Sequence, residues 1–260
     1  MSIHRAFAAA ALAAGCSLAA AADPATHQPD PLDSPRWGDM RKAVFPPAAK
    51  VAFDPRVKVV APLTAENALN VPVSVDASAL ADVKEVLVFA DFNPITRIVR
   101  FEPTGAHPGL GFRIKLQQSS PVRAAARTGD GRWHVGGTWV NTTGGGCTVP
   151  GVTRADGSWN KTLNQVHARF FSNLAEGTRR LRLQIMHPMD TGLVAGVPAL
   201  YIERLELQDA AGQPWWRMQL HEPVSENPLL TIEMPLQGPQ AFRLSGQDNN
   251  GNRIDAQVRA

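Results

Sequence analysis

The sequence predicts an all-β protein built as two antiparallel sandwiches. Three observations carry that expectation. Short β-branched and alternating runs recur from residue 51 onward, with polar turns between them and no sustained helical period. A stretch rich in Gly, Thr, Pro and Asn, residues 141–162, breaks the series near the middle of the chain. A second series of similar strands then runs to the end, and 260 residues suffice for two domains of about 100 residues each.

Taken in order, residues 1–22 read as a signal peptide. His4 and Arg5 give a basic start, Ala6 to Ala19 a short apolar core, and Ala20-Ala21-Ala22 a small-residue cleavage site before Asp23-Pro24. The expectation is export to a bacterial periplasm. Leu12-Ala13-Ala14-Gly15-Cys16 partly matches a lipoprotein box, but Ala13 stands where leucine is usual, which favours cleavage after Ala22 over anchoring at Cys16. Residues 23–50 carry Pro24, Pro29, Pro31, Pro35, Pro46 and Pro47 and read as an extended lead-in. One short helix is expected near Ser34 to Ala43, capped by Ser34-Pro35, with Trp37 docked on the first domain.

Residues 51–140 form the first sandwich. Its strands are expected at 57–60, 71–75, 83–89, 98–101, 111–116, 122–126 and 132–135, with Thr128-Gly129-Asp130-Gly131 as a hairpin turn. Arg113-Ile114-Lys115-Leu116 alternates cleanly and should be half-buried. Residues 163–260 form the second sandwich, with strands at 165–171, 178–186, 200–208, 215–220, 229–234, 241–245 and 253–258. Trp215-Trp216 places indoles on opposite faces of one strand, one for the core and the other either packed on the sheet face, the simpler account, or meeting a partner.

Several function classes are excluded early. A formal net charge of +3 without a Lys/Arg cluster argues against nucleic acid. No apolar run after residue 22 approaches the ~20 residues a membrane span needs. No His-x-x-His or Cys-x-x-Cys spacing, nucleophile turn or phosphate loop occurs, so no metal, no cofactor and no turnover of its own are expected. Glu203 and Glu206 have odd spacing on one strand and face opposite ways, so they make no carboxylate pair.

One residue remains for chemistry. Cys147 follows Gly144, Gly145 and Gly146 directly and precedes Pro150-Gly151, which predicts an exposed, mobile arm bearing a thiol. With Cys16 removed in the leader it has no partner in an oxidising compartment, which suggests a reactive thiol or an intermolecular bond. The bland alternative is a linker that happens to contain a cysteine. His187, in the turn His187-Pro188-Met189-Asp190-Thr191-Gly192, could sit near the thiol and favour its thiolate, although a plain turn is the simpler account. Asp91-Phe92-Asn93-Pro94 reads as a structural turn.

These residues also resemble a known family. Val86 to Pro94, Phe101, Arg113 to Leu116 and Asp130-Gly131-Arg132 leading to Gly145-Gly146-Cys147 resemble the SoxY half of the SoxYZ sulfur carrier of bacterial thiosulfate oxidation. Met186 to Gly192 and Ser245 to Gly251 resemble the SoxZ half. The resemblance spans about residues 45–260 and implies a SoxY–SoxZ fusion, of the kind associated with quinoprotein dehydrogenases. It implies two immunoglobulin-like β-sandwich domains, a SoxY–SoxZ interface within one chain, and Cys147 as a covalent carrier thiol. Two departures stand out. The family's arm ends its chain, whereas this chain continues, and Thr148-Val149-Pro150 replace the trailing glycines. The thiol then reaches at most ~23 Å from Val140 at ~3.3 Å per residue.

The reading that follows is a carrier presenting Cys147 to periplasmic redox enzymes, Sox-type or a quinoprotein dehydrogenase with its cytochrome c. Its rival is a non-covalent accessory module for such a dehydrogenase that needs no thiol chemistry.

Overall fold

A computed structural model describes residues 28–173 and 176–260; the leader read at 1–22 and the start of the lead-in lie outside them. Helix α1 (Trp37–Val44) precedes nine strands: β1 (Val51–Phe53), β2 (Lys58–Val60), β3 (Thr64–Ala65), β4 (Val71–Asp76), β5 (Val83–Ala90), β6 (Arg97–Glu102), β7 (Gly109–Ile114), β8 (Ser120–Thr128) and β9 (Trp133–Thr142). Two single-turn helices follow, α2 (Val152–Ala155) and α3 (Trp159–Thr162). The second half supplies β10 (Val166–Asn173), β11 (Thr178–Ile185), β12 (Ile202–Asp209), β13 (Pro214–Leu220), β14 (Leu229–Pro235), β15 (Ala241–Asp248) and β16 (Arg253–Arg259). A strand lies at every position expected from the alternation, with its ends shifted by a residue or two in most and β9 running seven residues further, to Thr142. The three-residue β1 and two-residue β3 were too short to leave a periodic signal.

Each half supplies strands to both of two sheets, and the two halves join edge to edge. A ten-stranded sheet runs β1-β9-β8-β5-β6-β13-β12-β15-β16, with β3 paired on β9, and a six-stranded sheet runs β10-β11-β14-β7-β4-β2. Both cross from one half to the other. β6 pairs antiparallel with β13 through Phe101↔Met218 and Val99↔Leu220, and β7 pairs with β14 through Leu110↔Ile232. Strand edges that isolated domains would leave open are thereby closed within one chain.

One apolar core fills the space between the sheets and draws on both halves, with Val86, Phe101, Phe112 and Ile114 beside Leu183, Trp216, Ile232 and Phe242. Trp216 is wholly buried, while Trp215 lies half-buried against the Phe242 ring, 5.5 Å between centroids. A smaller cluster sits on the outer side of the ten-stranded sheet, where α1 lays Met40 and Val44 over Phe89, Ala125 and Trp133. Trp37 does dock there, 4.9 Å from Phe53. The lead-in is fixed by an ion cluster. Arg123, 1% exposed, meets Asp91 at 3.0 Å and Asp30 at 2.6 Å, and its guanidinium stacks 4.7 Å from the Trp37 ring.

Candidate functional site

The segment behind β9 was expected to be loose, and it is docked. Cys147 is 0% exposed. Gly144 and Gly145 both take φ of +86°, a left-handed conformation that favours glycine, and together they turn the chain inward. Gly146 serves close approach instead, because a Cβ there would stand 2.1 Å from the Ala68 carbonyl oxygen and 2.8 Å from that of Leu116. The amides of Gly145 and Gly146 donate to the carbonyls of Gln117 and Leu116, each at 3.0 Å. The Cys147 amide donates to Gln117 Oε1 at 3.1 Å, and its thiol points to the Lys115 carbonyl at 3.8 Å. Beyond the thiol the chain returns to solvent, with Thr148, Val149 and Pro150 exposed.

The floor of this site is the backbone of residues 115–117, and Asn93 clamps it. Asn93 Nδ2 donates to the Lys115 carbonyl and Asn93 Oδ1 accepts from the Gln117 amide, both at 2.9 Å. The Asp91–Pro94 turn is therefore structural, as expected, and it shapes the bed on which the thiol segment lies.

The second half supplies the other wall. Thr191 Oγ1 donates to the Cys147 carbonyl at 2.6 Å. Asp190 accepts from Arg154 of α2, whose guanidinium lies 4.1 Å over the Trp159 ring. Thr153 donates to Glu226 through its hydroxyl at 3.1 Å. The thiol thus sits at the seam where the two halves meet.

The charge beside the thiol is Lys115, in the stretch whose alternation predicts half-burial. It is only 3% exposed, because the Met189–Thr191 loop and the glycine segment cover that side of the strand end. Its ammonium donates to the Met189 carbonyl. Burial pulls its pKa down to about 8, opposed by Asp190, Cys147 and Glu226. Burial likewise pushes the Cys147 thiol up to about 11, with Lys115 opposing. At neutral pH the docked pair is therefore an ammonium and an un-ionised thiol.

Among the described residues the His187 ring makes no hydrogen bond to the thiol. Its Nδ1 accepts from the Met189 amide at 3.1 Å, and its Nε2 lies 3.5 Å from Asp248 Oδ2. Burial holds its pKa down to about 4, outweighing Asp248, so the ring is neutral. It fixes the turn that presents Met189 to Lys115 and Thr191 to Cys147. Among the described residues no group of three or more His, Cys, Asp or Glu side chains is arranged to hold a metal, and no helix is long and apolar enough to cross a membrane.

The comparisons with known proteins divide the chain at the same seam. Residues 41–147 match the family described as sulfur oxidation protein SoxY, and residues 171–259 match sulphur oxidation protein SoxZ. The chain belongs to the SoxYZ family as a SoxY–SoxZ fusion. It is a sulfur-carrier protein and not an enzyme. The SoxY match ends on Cys147 itself. Among solved structures the chain is similar to the sulfur carrier protein SoxY from Chlorobium limicola f thiosulfatophilum, at 20% identity and a TM-score of 0.36, over 42% of this chain and 96% of that one. No curated protein matches the chain.

Proposed function

We propose that Cys147 is the carrier thiol of this SoxYZ protein and that the structure holds it in a resting, docked state. The observation that carries this reading is the coincidence of three features at one residue. The SoxY match ends on Cys147, Cys147 is the one free cysteine among the described residues, and glycines in the left-handed region hinge the backbone immediately before it. Buried and un-ionised, the thiol is a poor nucleophile where it lies. Carriage requires the segment from Thr143 to Pro150 to lift away from Gln117 and Thr191, so that a partner's active site receives Sγ and forms the sulfur-containing adduct there. The partner supplies the electron acceptor and the catalysis. The segment stays tied to α2, so it leaves as a loop and suits a surface cleft better than a deep tunnel. The partners are redox enzymes of the periplasm, with the leader at 1–22 directing export, and a quinoprotein dehydrogenase system is one candidate.

A second reading rests on the burial alone. A thiol with no exposure can be a packing residue, and the protein would then act as a non-covalent accessory to such a dehydrogenase. Replacement of Cys147 by serine separates the two in the native host. The carrier reading predicts loss of sulfur-compound oxidation with the folded protein still present; retained oxidation selects the accessory.

A further inference from the structure

The strand β10 ends the six-stranded sheet; no strand is hydrogen-bonded to its outer edge, and β16 packs beside its start, where Asn164 Nδ2 donates to the Arg253 carbonyl at 3.3 Å. The phase of its ladder follows from one bond. The Met186 amide donates to the Gln165 carbonyl at 2.9 Å, and the register then runs from Val166↔Ile185 to Asn173↔Thr178 without a shift. In an antiparallel pair that phase commits the N–H and C=O groups of His167, Arg169, Phe171 and Asn173 to β11. Those of Val166, Ala168, Phe170 and Ser172 point outward, and among the described residues they meet no partner. Ala168 and Ser172 are exposed. Natural sheets shorten, bulge or cover such edges; this one is eight residues long and regular.

The solvent face beside this edge is basic. His167, Arg169 and Phe171 share it with Arg182 and Arg180 of β11. Arg180 is matched by Glu233 at 2.5 Å. Arg169 and Arg182 stand directly opposite each other, and neither has a carboxylate within ion-pair distance among the described residues. Like charges facing across a ladder weaken it unless something neutralises them. Phe171, 42% exposed, lies under the Arg169 guanidinium, 5.2 Å from its ring.

We propose that β10 is a docking edge for an extended, acidic segment of a partner protein. The segment adds as a further strand on the outward groups of Val166, Ala168, Phe170 and Ser172. Its carboxylates neutralise Arg169 and Arg182, and an apolar side chain covers Phe171. A second copy of this chain fits less well, because its β10 would bring more positive charge to the same face. The Val166 end of the edge adjoins Met186, one residue before the turn that clasps Cys147.

The test uses the full chain, isotope-labelled, with a short synthetic peptide alternating Glu with Val and Thr, and a matched peptide carrying Lys for Glu. The acidic peptide is expected to slow amide exchange at Val166, Ala168, Phe170 and Ser172 by about tenfold or more, and the lysine peptide to leave it unchanged. Ala168→Pro, which removes an outward N–H and no ladder bond, should weaken binding about tenfold. Arg169→Glu combined with Arg182→Glu should reverse the preference between the peptides. Absence of slowing with the acidic peptide overturns the proposal, as does full binding to Ala168→Pro, which reduces the contact to charge alone. Slowing at the same amides that grows with protein concentration in the absence of peptide assigns the edge to a second copy instead.

Discussion

The hydroxyl of Thr191 donates to the carbonyl of Cys147 at 2.6 Å, so the SoxZ half of the chain holds down the thiol segment of the SoxY half. In a fusion the two halves cannot separate, and control of the thiol becomes a matter of local opening. Thr191→Val leaves a buried carbonyl without its donor, a loss of about 1–3 kcal/mol. If the docked state alone bears that loss, opening rises by about tenfold. Alkylation of Cys147 by iodoacetamide at neutral pH should accelerate accordingly, with circular dichroism unchanged.

Gly146→Ala is a sharper version of the same test. Its Cβ meets the Ala68 carbonyl oxygen at 2.1 Å, a backbone atom that cannot step aside. The segment should fail to dock, and Cys147 should alkylate at nearly the rate of the urea-unfolded chain. The two-sheet core lies elsewhere, so thermal unfolding should shift by only a few degrees.

Lys115 gives the docked site a pH signature. Its folded pKa of about 8 lies below the ordinary 10.5, so between those values the unfolded chain binds more protons and stability rises with pH. The lysine's contribution is complete above about 10.5 and is lost as pH falls through 8. Cys147 opposes it, because a folded pKa of about 11 against 9.0 removes stability as pH climbs through that window. Denaturant midpoints should rise between pH 8 and 9 in the parent, and Lys115→Met should lose that rise.

His187 acts on the acid side. Its pKa is depressed from 6.5 to about 4, so its contribution is present above 6.5 and is lost as pH falls to 4. That loss is on the order of 3 kcal/mol. His187→Gln should flatten the acid limb of the stability profile without changing alkylation at high pH by the direct route a thiol activator would show.

Arg123→Ala should cost about 3–5 kcal/mol, because it strands the buried Asp91 carboxylate and releases Asp30. Calorimetry on the full chain measures it, and loss of the Trp37 stacking should appear in the fluorescence spectrum.

The strands were legible because alternation reports which side of a strand faces the core. It does not report what covers the other side. The Arg113–Leu116 alternation predicts a half-buried strand, and Lys115 is instead roofed by a loop more than seventy residues away, through Met189. The pairings Phe101↔Met218 and Leu110↔Ile232 likewise leave no local trace, so the edge-to-edge joining of the two halves was not legible. The three glycines were ambiguous for a physical reason. The lack of a side chain that permits mobility also permits Gly146 to lie against two carbonyl oxygens. Cys147 itself was legible as the reactive candidate, but its resting burial was not.

The most direct test of the carrier assignment is intact mass spectrometry on protein purified from its native host, before and after reductant. The account predicts a reducible mass increment that maps to Cys147 and is absent from Cys147→Ser. An unmodified thiol that stays unmodified when inorganic sulfur compounds and the host's periplasmic extract are supplied would contradict it.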